Sequence, residues 1–225
     1  MKRAYILKKI GFLSKDSVLS MSSFVILVCL FLSISFPAEA GLQQITKSFS
    51  FFVVIPILYI KLILKKDLRS YGMNISEKKN RRAGIFWAIL MLFISLMIAY
   101  LLFNYTGFKK SYGLAAYIVD NFWIFIAYEL ILVNILLFMQ SFFYQGFVFF
   151  TYLKKFGYWS ILIQFFLYLL FISVLGNFSW QLSPFIILSL TGGWVAYKSK
   201  SFVYSYAMGL LFIIVLDSYI IYTMK

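Results

Sequence analysis

The chain contains no histidine, only seven acidic residues and a single cysteine, Cys29, among its 225 residues. Without histidine it cannot form a histidine-ligated zinc site or a Ser-His-Asp triad. One cysteine excludes an intramolecular disulfide and a cysteine zinc cluster. A phosphate-binding glycine loop is also missing, because Gly192-Gly193 lies in an apolar run with no Lys-Ser or Lys-Thr pair beside it. We therefore expect no metal and no cofactor.

Charged residues are scarce as well. They make up 12% of the chain, against about a quarter in soluble domains, whereas 63% of the residues are hydrophobic. Such a chain cannot cover a water-facing surface with polar groups, so its solvent must be a lipid bilayer. The net charge of +14 does not indicate nucleic-acid binding, because Lys and Arg form short clusters between apolar runs and no nucleic-acid-binding motif is present. Residues 1–225 are expected to form a single transmembrane domain.

Seven apolar segments each approach the length that crosses about 30 Å of hydrocarbon. In order they are residues 18–36, 49–64, 84–103, 117–139, 158–175, 182–197 and 202–222. The second contains Pro56, which predicts a kink or tilt. Residues 141–153 are apolar and follow a full span, so they either extend the fourth helix or lie along the interface. The sequence thus predicts an all-α bundle of about seven transmembrane helices.

The distribution of Lys and Arg predicts the orientation of these helices. With a cytoplasmic N-terminus, 17 of the 21 basic residues fall on the inner side. The four on the outer side are Lys47, Lys109, Lys110 and Lys225. Because basic residues accumulate in cytoplasmic loops, we expect the N-terminus inside and the C-terminus outside. Heavy use of Phe, Tyr, Ile and Lys is typical of an AT-rich bacterial genome, which favours a bacterial plasma membrane.

The first span resembles the hydrophobic core of a signal peptide. A basic leader precedes it, and Ala38-Glu39-Ala40 follows it as a possible cleavage site. The apolar run is longer than a usual signal core, and six more spans follow. An uncleaved signal anchor is therefore the expected form.

Two acidic residues lie well inside predicted spans, away from the span ends, where charge is costly and often functional. Glu129 lies in the middle of the fourth span and Asp217 in the outer half of the seventh. Glu129 and Gln140 are 11 residues apart, or three helical turns, and therefore share a face. Asn134 and Gln145 have the same spacing on a neighbouring face. This polar stripe is consistent with interhelical hydrogen bonds, with a single ligand or partner cavity that also includes Asp217, or with carboxylate catalysis.

Several short segments resemble motifs of one membrane-protein family. Gln140-Ser141-Phe142-Phe143-Tyr144-Gln145-Gly146-Phe147 resembles the Glu-Glu-x-x-x-Arg-Gly motif of the CPBP family, which comprises CAAX-protease and bacteriocin-processing membrane proteins, also called Abi proteins. Further matches are the basic turn Leu153-Lys154-Lys155-Phe156-Gly157-Tyr158-Trp159, the Gly-rich Thr191-Gly192-Gly193-Trp194, Tyr197-Lys198, the Ser-led Ser201-Phe202 and the loop Tyr71-Gly72-Met73. The resemblance covers residues 138–217 plus that loop, and implies the fold of an intramembrane metalloprotease.

The residues that carry the family's chemistry are replaced in this chain. The positions of its paired glutamates, its arginine, its two histidines and its asparagine hold neutral or apolar side chains. They are Gln140, Ser141, Gln145, Ile172, Gly209 and Ile213. An amide or a hydroxyl cannot act as a general base near neutral pH, and Ile and Gly offer no side-chain ligand to a metal. The resemblance therefore implies that the fold is retained and the protease chemistry lost.

An inactive member of such a family would act by binding. The resemblance implies self-immunity against a bacteriocin, or a regulatory or scaffold role, with a membrane protein or a peptide as partner. Two alternatives belong to other classes. One is a small membrane transporter subunit with Glu129 and Asp217 lining a path, and the other is an intramembrane protease with an atypical mechanism.

The charge distribution makes a topological prediction. Reporter fusions after Lys79 and at Lys225 should report opposite sides of the membrane, because five predicted spans, an odd number, lie between these two sites. Paired alkaline phosphatase and fluorescent-protein fusions would measure this. The same side for both fusions would rule out seven spans.

Overall fold

A computed structural model describes residues 15–39, 41–74, 78–108, 112, 116–176 and 180–224. Within those residues the fold is all-helical, with no strand. The long helices, in chain order, are α1 Lys15–Ser35, α2 Leu42–Ile63, α3 Lys78–Tyr105, α4 at 122–156, α5 Ser160–Val174, α6 Ser183–Ser199 and α7 Phe202–Met224. Short helices cover Leu68–Tyr71, Ala116–Asp120, Gly157–Trp159 and Trp180–Leu182.

Five helical stretches in the described part of the chain are long and apolar enough to cross a membrane. They are Asp16–Ser35, Leu42–Ile63, Arg81–Tyr105, Phe122–Val174 and Phe202–Thr223. The outward faces of the helices are apolar too, since Phe86, Phe93 and Met97 of α3 are each more than 60% exposed. Lipid is the solvent that suits so apolar a surface, and the fold is accordingly that of a helical membrane protein.

The fourth predicted span is longer than the sequence pattern indicated. Helix α4 covers residues 122–156 of the apolar stretch Phe122–Val174 and is about 50 Å long at 1.5 Å per residue. It ends at Gly157, which has φ 56°, and α5 then packs back against α4. Residues 141–153 extend the fourth helix, which is one of the two alternatives that the sequence left open. Asn121 caps its start by accepting from the amides of Trp123 (3.0 Å) and Ile124 (3.3 Å), so α4 begins at 122 rather than at 117.

The second helix begins seven residues before the predicted span and accommodates a proline. Pro56 lies in Ile55–Leu58, between two wide π-helical turns, Ser50–Val54 and Tyr59–Ile63. Proline has no amide hydrogen, so the carbonyl one turn before it loses its usual partner. The π-helical turns absorb this defect within a continuous helix.

Helix α6 lies at the centre of the bundle. It packs against α3, α5 and α7, and against the Ser141–Val148 segment of α4. Helices α1 and α2 pack beside α4, where a first apolar cluster contains Phe52, Phe143 and Phe147. A second apolar cluster, including Leu188 and Phe212, lies among α3, α4, α6 and α7. A third, smaller cluster of Phe149, Ile161 and Ala196 lies among α4, α5 and α6, so the core has three apolar parts.

A tight turn joins the loop after α2 to the start of α7. Gly72 has φ 81°, a region that side chains other than glycine rarely adopt. Its carbonyl accepts from the Ser201 hydroxyl at 2.9 Å and from the Phe202 amide at 3.2 Å. A Cβ at Gly72 would overlap the ring of Phe150. This turn therefore needs glycine both for its backbone and for the space around it.

Substitution of Gly72 tests that conclusion. Gly72→Ala should lower the thermal stability of the protein in detergent more than Gly176→Ala does, because Gly176 also has a positive φ (68°) and a Cβ there would meet nothing within 4 Å. The control carries the backbone penalty alone, about 1–2 kcal/mol. The overlap with Phe150 adds roughly 1–3 kcal/mol. Equal melting temperatures for the two variants would contradict the proposed packing.

Candidate functional site

Three buried glutamine side chains from α4 and α5 donate hydrogen bonds to the backbone of α6. We call them the amide row. The bonds run from Nε2 to a carbonyl oxygen: Gln140 to Phe185 (3.0 Å), Gln145 to Leu188 (3.0 Å) and Gln164 to Ser189 (2.6 Å). In a bilayer, where apolar contact alone does not favour helix association, such interhelical bonds help to hold a bundle together.

The amide row fits because α6 has a pair of glycines opposite it. A Cβ at Gly192 would overlap the side-chain amide of Gln145, and one at Gly193 would lie 2.5 Å from Nε2 of Gln164. Both glycines are buried and face neighbouring helices, as expected for small residues in membrane bundles. Their function here is to make room for two polar side chains.

Hydroxyl groups from two further helices also bond to α6. Ser95 of α3 donates to the hydroxyl of Thr191 at 3.0 Å, and Ser205 of α7 donates to the carbonyl of Gly192 at 2.6 Å. Four neighbouring helices therefore hold α6 by polar contacts.

The amide row retains unused hydrogen-bonding capacity. The Oε1 atoms of Gln140, Gln145 and Gln164 are buried and have no partner among the described residues, and the same holds for the hydroxyls of Tyr144 and Ser189. A buried polar group without a partner costs about 1–3 kcal/mol. This region is the candidate binding site, because donors from a ligand or from water would satisfy these oxygens.

The remaining positions of the family motifs lie around the same part of α6. Ser141 is buried on α4, Ile172 belongs to the first apolar cluster and Ile213 to the second. A Cβ at Gly209 would meet the side chain of Leu188 at 3.4 Å. With the amides of the row, these positions offer neither an imidazole nor a carboxylate. The set does not fit zinc, and the described residues contain no group of three or more His, Cys, Asp or Glu that could hold a metal.

The two buried carboxylates form a separate site between α4 and α7. The carboxyl groups of Glu129 on α4 and Asp217 on α7 interact electrostatically, and both oxygens of Glu129 are buried with no hydrogen-bond partner among the described residues. Tyr112 donates to Oδ1 of Asp217 at 2.6 Å. Two ionised carboxylates are acceptors only, so their contact requires a proton or a cation between them.

The sequence placed these carboxylates at different depths, and the structure brings them together. Glu129 lies seven residues after the start of α4, and Asp217 seven residues before the end of α7. Because α4 begins at residue 122 and not at 117, Glu129 lies nearer the start of its helix than the sequence indicated, and so at a depth closer to that of Asp217. Asn134 bonds to the hydroxyl of Tyr206 on α7. The predicted single polar cavity therefore divides into the amide row, the Asn134 contact and the carboxylate pair.

Two residues of these sites, Gln164 and Tyr112, were not identified from the sequence. Gln164 is the one amide side chain in α5, and its isolation in an apolar span is a signal that it faces the bundle interior. Tyr112 lies between the third and fourth spans, and no pattern in the sequence associates it with Asp217.

No protein-family profile, curated protein or solved structure matches this chain. The likeness to the CPBP family therefore rests on the motif residues alone.

Paired substitutions test the fit between the amide row and the glycines. Gly192→Ala should destabilise the protein by about 1–3 kcal/mol through overpacking. The double variant Gly192→Ala/Gln145→Ala should lose less stability than the sum of its single variants, because the shorter side chain removes the overlap. Thermal unfolding in detergent would measure each.

Gly209→Ala is the matched control, since its Cβ would make ordinary contacts and alanine favours a helix by about 0.5–1 kcal/mol over glycine. Additive effects of Gly192→Ala and Gln145→Ala would show that the two side chains do not meet.

Proposed function

We propose that this is a multi-pass protein of the bacterial plasma membrane that acts by binding a membrane-protein or peptide partner, and not by catalysis. One observation carries the proposal. Gln140 and Gln145, at the positions of the CPBP family's catalytic glutamate and arginine, donate to the backbone of α6. These side chains have a structural function, and neither ionises near neutral pH.

The proposed topology has seven spans with the N-terminus inside. The break at Gly157 divides Phe122–Val174 into two crossings, and the 17 residues of α6 provide another of about 25 Å. Two contacts support this arrangement. Lys155 at the end of α4 pairs with Asp16 at the start of α1 (2.8 Å), and the Gly72 turn after α2 bonds to Ser201 before α7. All four helix ends belong on one side in the seven-span topology.

Self-immunity against a peptide bacteriocin is the role that we favour, with a regulatory or scaffold role as the broader form of the same proposal. The motif resemblance supports a retained CPBP-like fold, and the replaced residues support a non-proteolytic function. The buried Oε1 atoms of the amide row, which have no partner among the described residues, supply acceptors for water or a small ligand, whereas a peptide or membrane-protein partner would contact the exposed apolar faces of the bundle.

The carboxylate pair favours a second candidate, a transporter subunit in which Glu129 and Asp217 bind a proton or cation along a path. It also supplies the two carboxylates that an atypical intramembrane protease would need. Both side chains are only 1% exposed. A peptide substrate would reach them only after α4 and α7 separate, which weighs against catalysis.

The test is expression in a bacteriocin-sensitive host that is challenged with a panel of peptide bacteriocins. We expect protection against at least one peptide. Protection should survive in the isosteric variants Glu129→Gln and Asp217→Asn, and in the presence of a zinc chelator, because binding requires neither carboxylate chemistry nor a metal. Growth inhibition and the amount of folded protein in the membrane would both be measured.

Loss of protection in both carboxylate variants at normal protein levels would favour the transporter or the atypical protease. Purified protein with about one tightly held zinc per chain, together with peptide cleavage that chelation abolishes, would overturn the binding proposal.

A further inference from the structure

A cleft of about 520 Å³ opens where α1 begins and where α2 and α4 end. None of the residues that line it belongs to the carboxylate pair or to the amide row. Its walls come from the first turns of α1, the loop 64–74 and the last turns of α4. Because the first and fourth spans terminate here, the cleft lies at the level of the lipid headgroups.

The charge in this cleft is unbalanced. Three lysines line it, Lys66, Lys154 and Lys155, against a single acid, Asp16. Asp16 is bound by Lys155 at 2.8 Å. Neither Lys66 nor Lys154 has an ion-pair partner among the described residues. Two ammonium groups therefore line the same cleft without a counter-ion from that part of the chain.

The surroundings of Lys66 disfavour its charged form. Burial lowers the pKa of Lys66, and the charge of Lys154 lowers it further. An anion between the two ammonium groups would replace this repulsion with attraction. The leader does not complement them, since residues 1–14 contain four basic residues and no acid.

The rest of the cleft suits a phosphate attached to an apolar chain. Lys66 and Lys154 supply the donors, because the hydroxyls of Ser70 and Thr151, which line the cleft beside them, already donate to the carbonyls of Asp67 and Phe147 at 2.7 Å. Val18, Leu19 and Phe150 provide an apolar wall. Polar donors thus lie beside an apolar surface in a single cleft.

We propose that this cleft binds an anionic phospholipid, with Lys66 and Lys154 as cationic ligands of its phosphate and with Val18, Leu19 and Phe150 against its acyl chain. Basic pockets between transmembrane helices bind lipid headgroups in this way. The site is independent of the partner binding proposed above, because it uses neither the amide row nor the carboxylates.

The test titrates full-length protein in mild detergent with short-chain phosphatidylglycerol and follows its thermal stability. Lipid should raise the melting temperature of the wild type. The double variant Lys66→Gln/Lys154→Gln should bind roughly thirtyfold more weakly, as expected for two lysines near a headgroup. Removing the repulsion should leave the lipid-free variant at least as stable as the wild type, and its own melting curve checks that it is folded.

The matched control is Lys198→Gln/Lys200→Gln, which removes the same charge from another basic cluster. There Lys198 lies over the ring of Trp87 (5.1 Å) and Lys200 over that of Tyr197 (4.3 Å). Its affinity for the lipid should be unchanged. An equal loss in both double variants would show a general surface-charge effect and overturn the proposal, as would an unchanged affinity of the Lys66/Lys154 variant.

Two further ligands test the contributions of the phosphate group and of the acyl chains separately. Inorganic phosphate should stabilise the wild type much less than phosphatidylglycerol does, and diacylglycerol should not stabilise it. Equal stabilisation by phosphate alone would reduce the site to a simple anion site. Equal stabilisation by diacylglycerol would show that the lysines contribute nothing. Either result would refute a phospholipid site.

Discussion

The position of α6 depends on hydrogen bonds that neighbouring side chains make to it. In lipid, apolar side chains gain little by packing against one another instead of against acyl chains, so polar contacts and close packing decide which helices associate. Helix α6 receives such contacts from the amide row and from Ser95 and Ser205. Its two glycines allow the amides to approach. The bundle is organised around this one helix, although it is among the shorter ones.

The neutrality of the amide row allows its side chains to bond to the backbone of α6. An amide is neutral and can donate to a carbonyl, whereas a carboxylate at the same position would repel that carbonyl. Gln140 and Gln145 therefore bind α6 directly. The wide π-helical turn Ser141–Val148 contains Gln145. Such turns often occur at functional sites, and here one carries a polar side chain to a neighbouring backbone.

Much of the coarse architecture could be predicted from the sequence, because length and hydropathy determine which segments suit a bilayer. Apolar helices were found close to their predicted positions, and Gly192-Gly193 faces its neighbours as the pattern indicated. The start of α4 was missed because the Asn121 cap lies inside an apolar run. The contact between Glu129 and Asp217 was also missed, since no spacing rule relates two helices that are distant in sequence. The role of Gln164 depends on the partner helix in the same way.

The length of α4 has a consequence for the membrane around the protein. A helix over residues 122–156 is about 50 Å long at 1.5 Å per residue, well beyond the 30 Å or so of the hydrocarbon layer. Its last turn carries Lys154 and Lys155, and neither ammonium group can enter that layer cheaply. The excess must lie in the headgroup region or be taken up by tilt. We therefore expect the tilt of α4 to depend on bilayer thickness, so that lipids with longer or shorter acyl chains change its angle in the bundle.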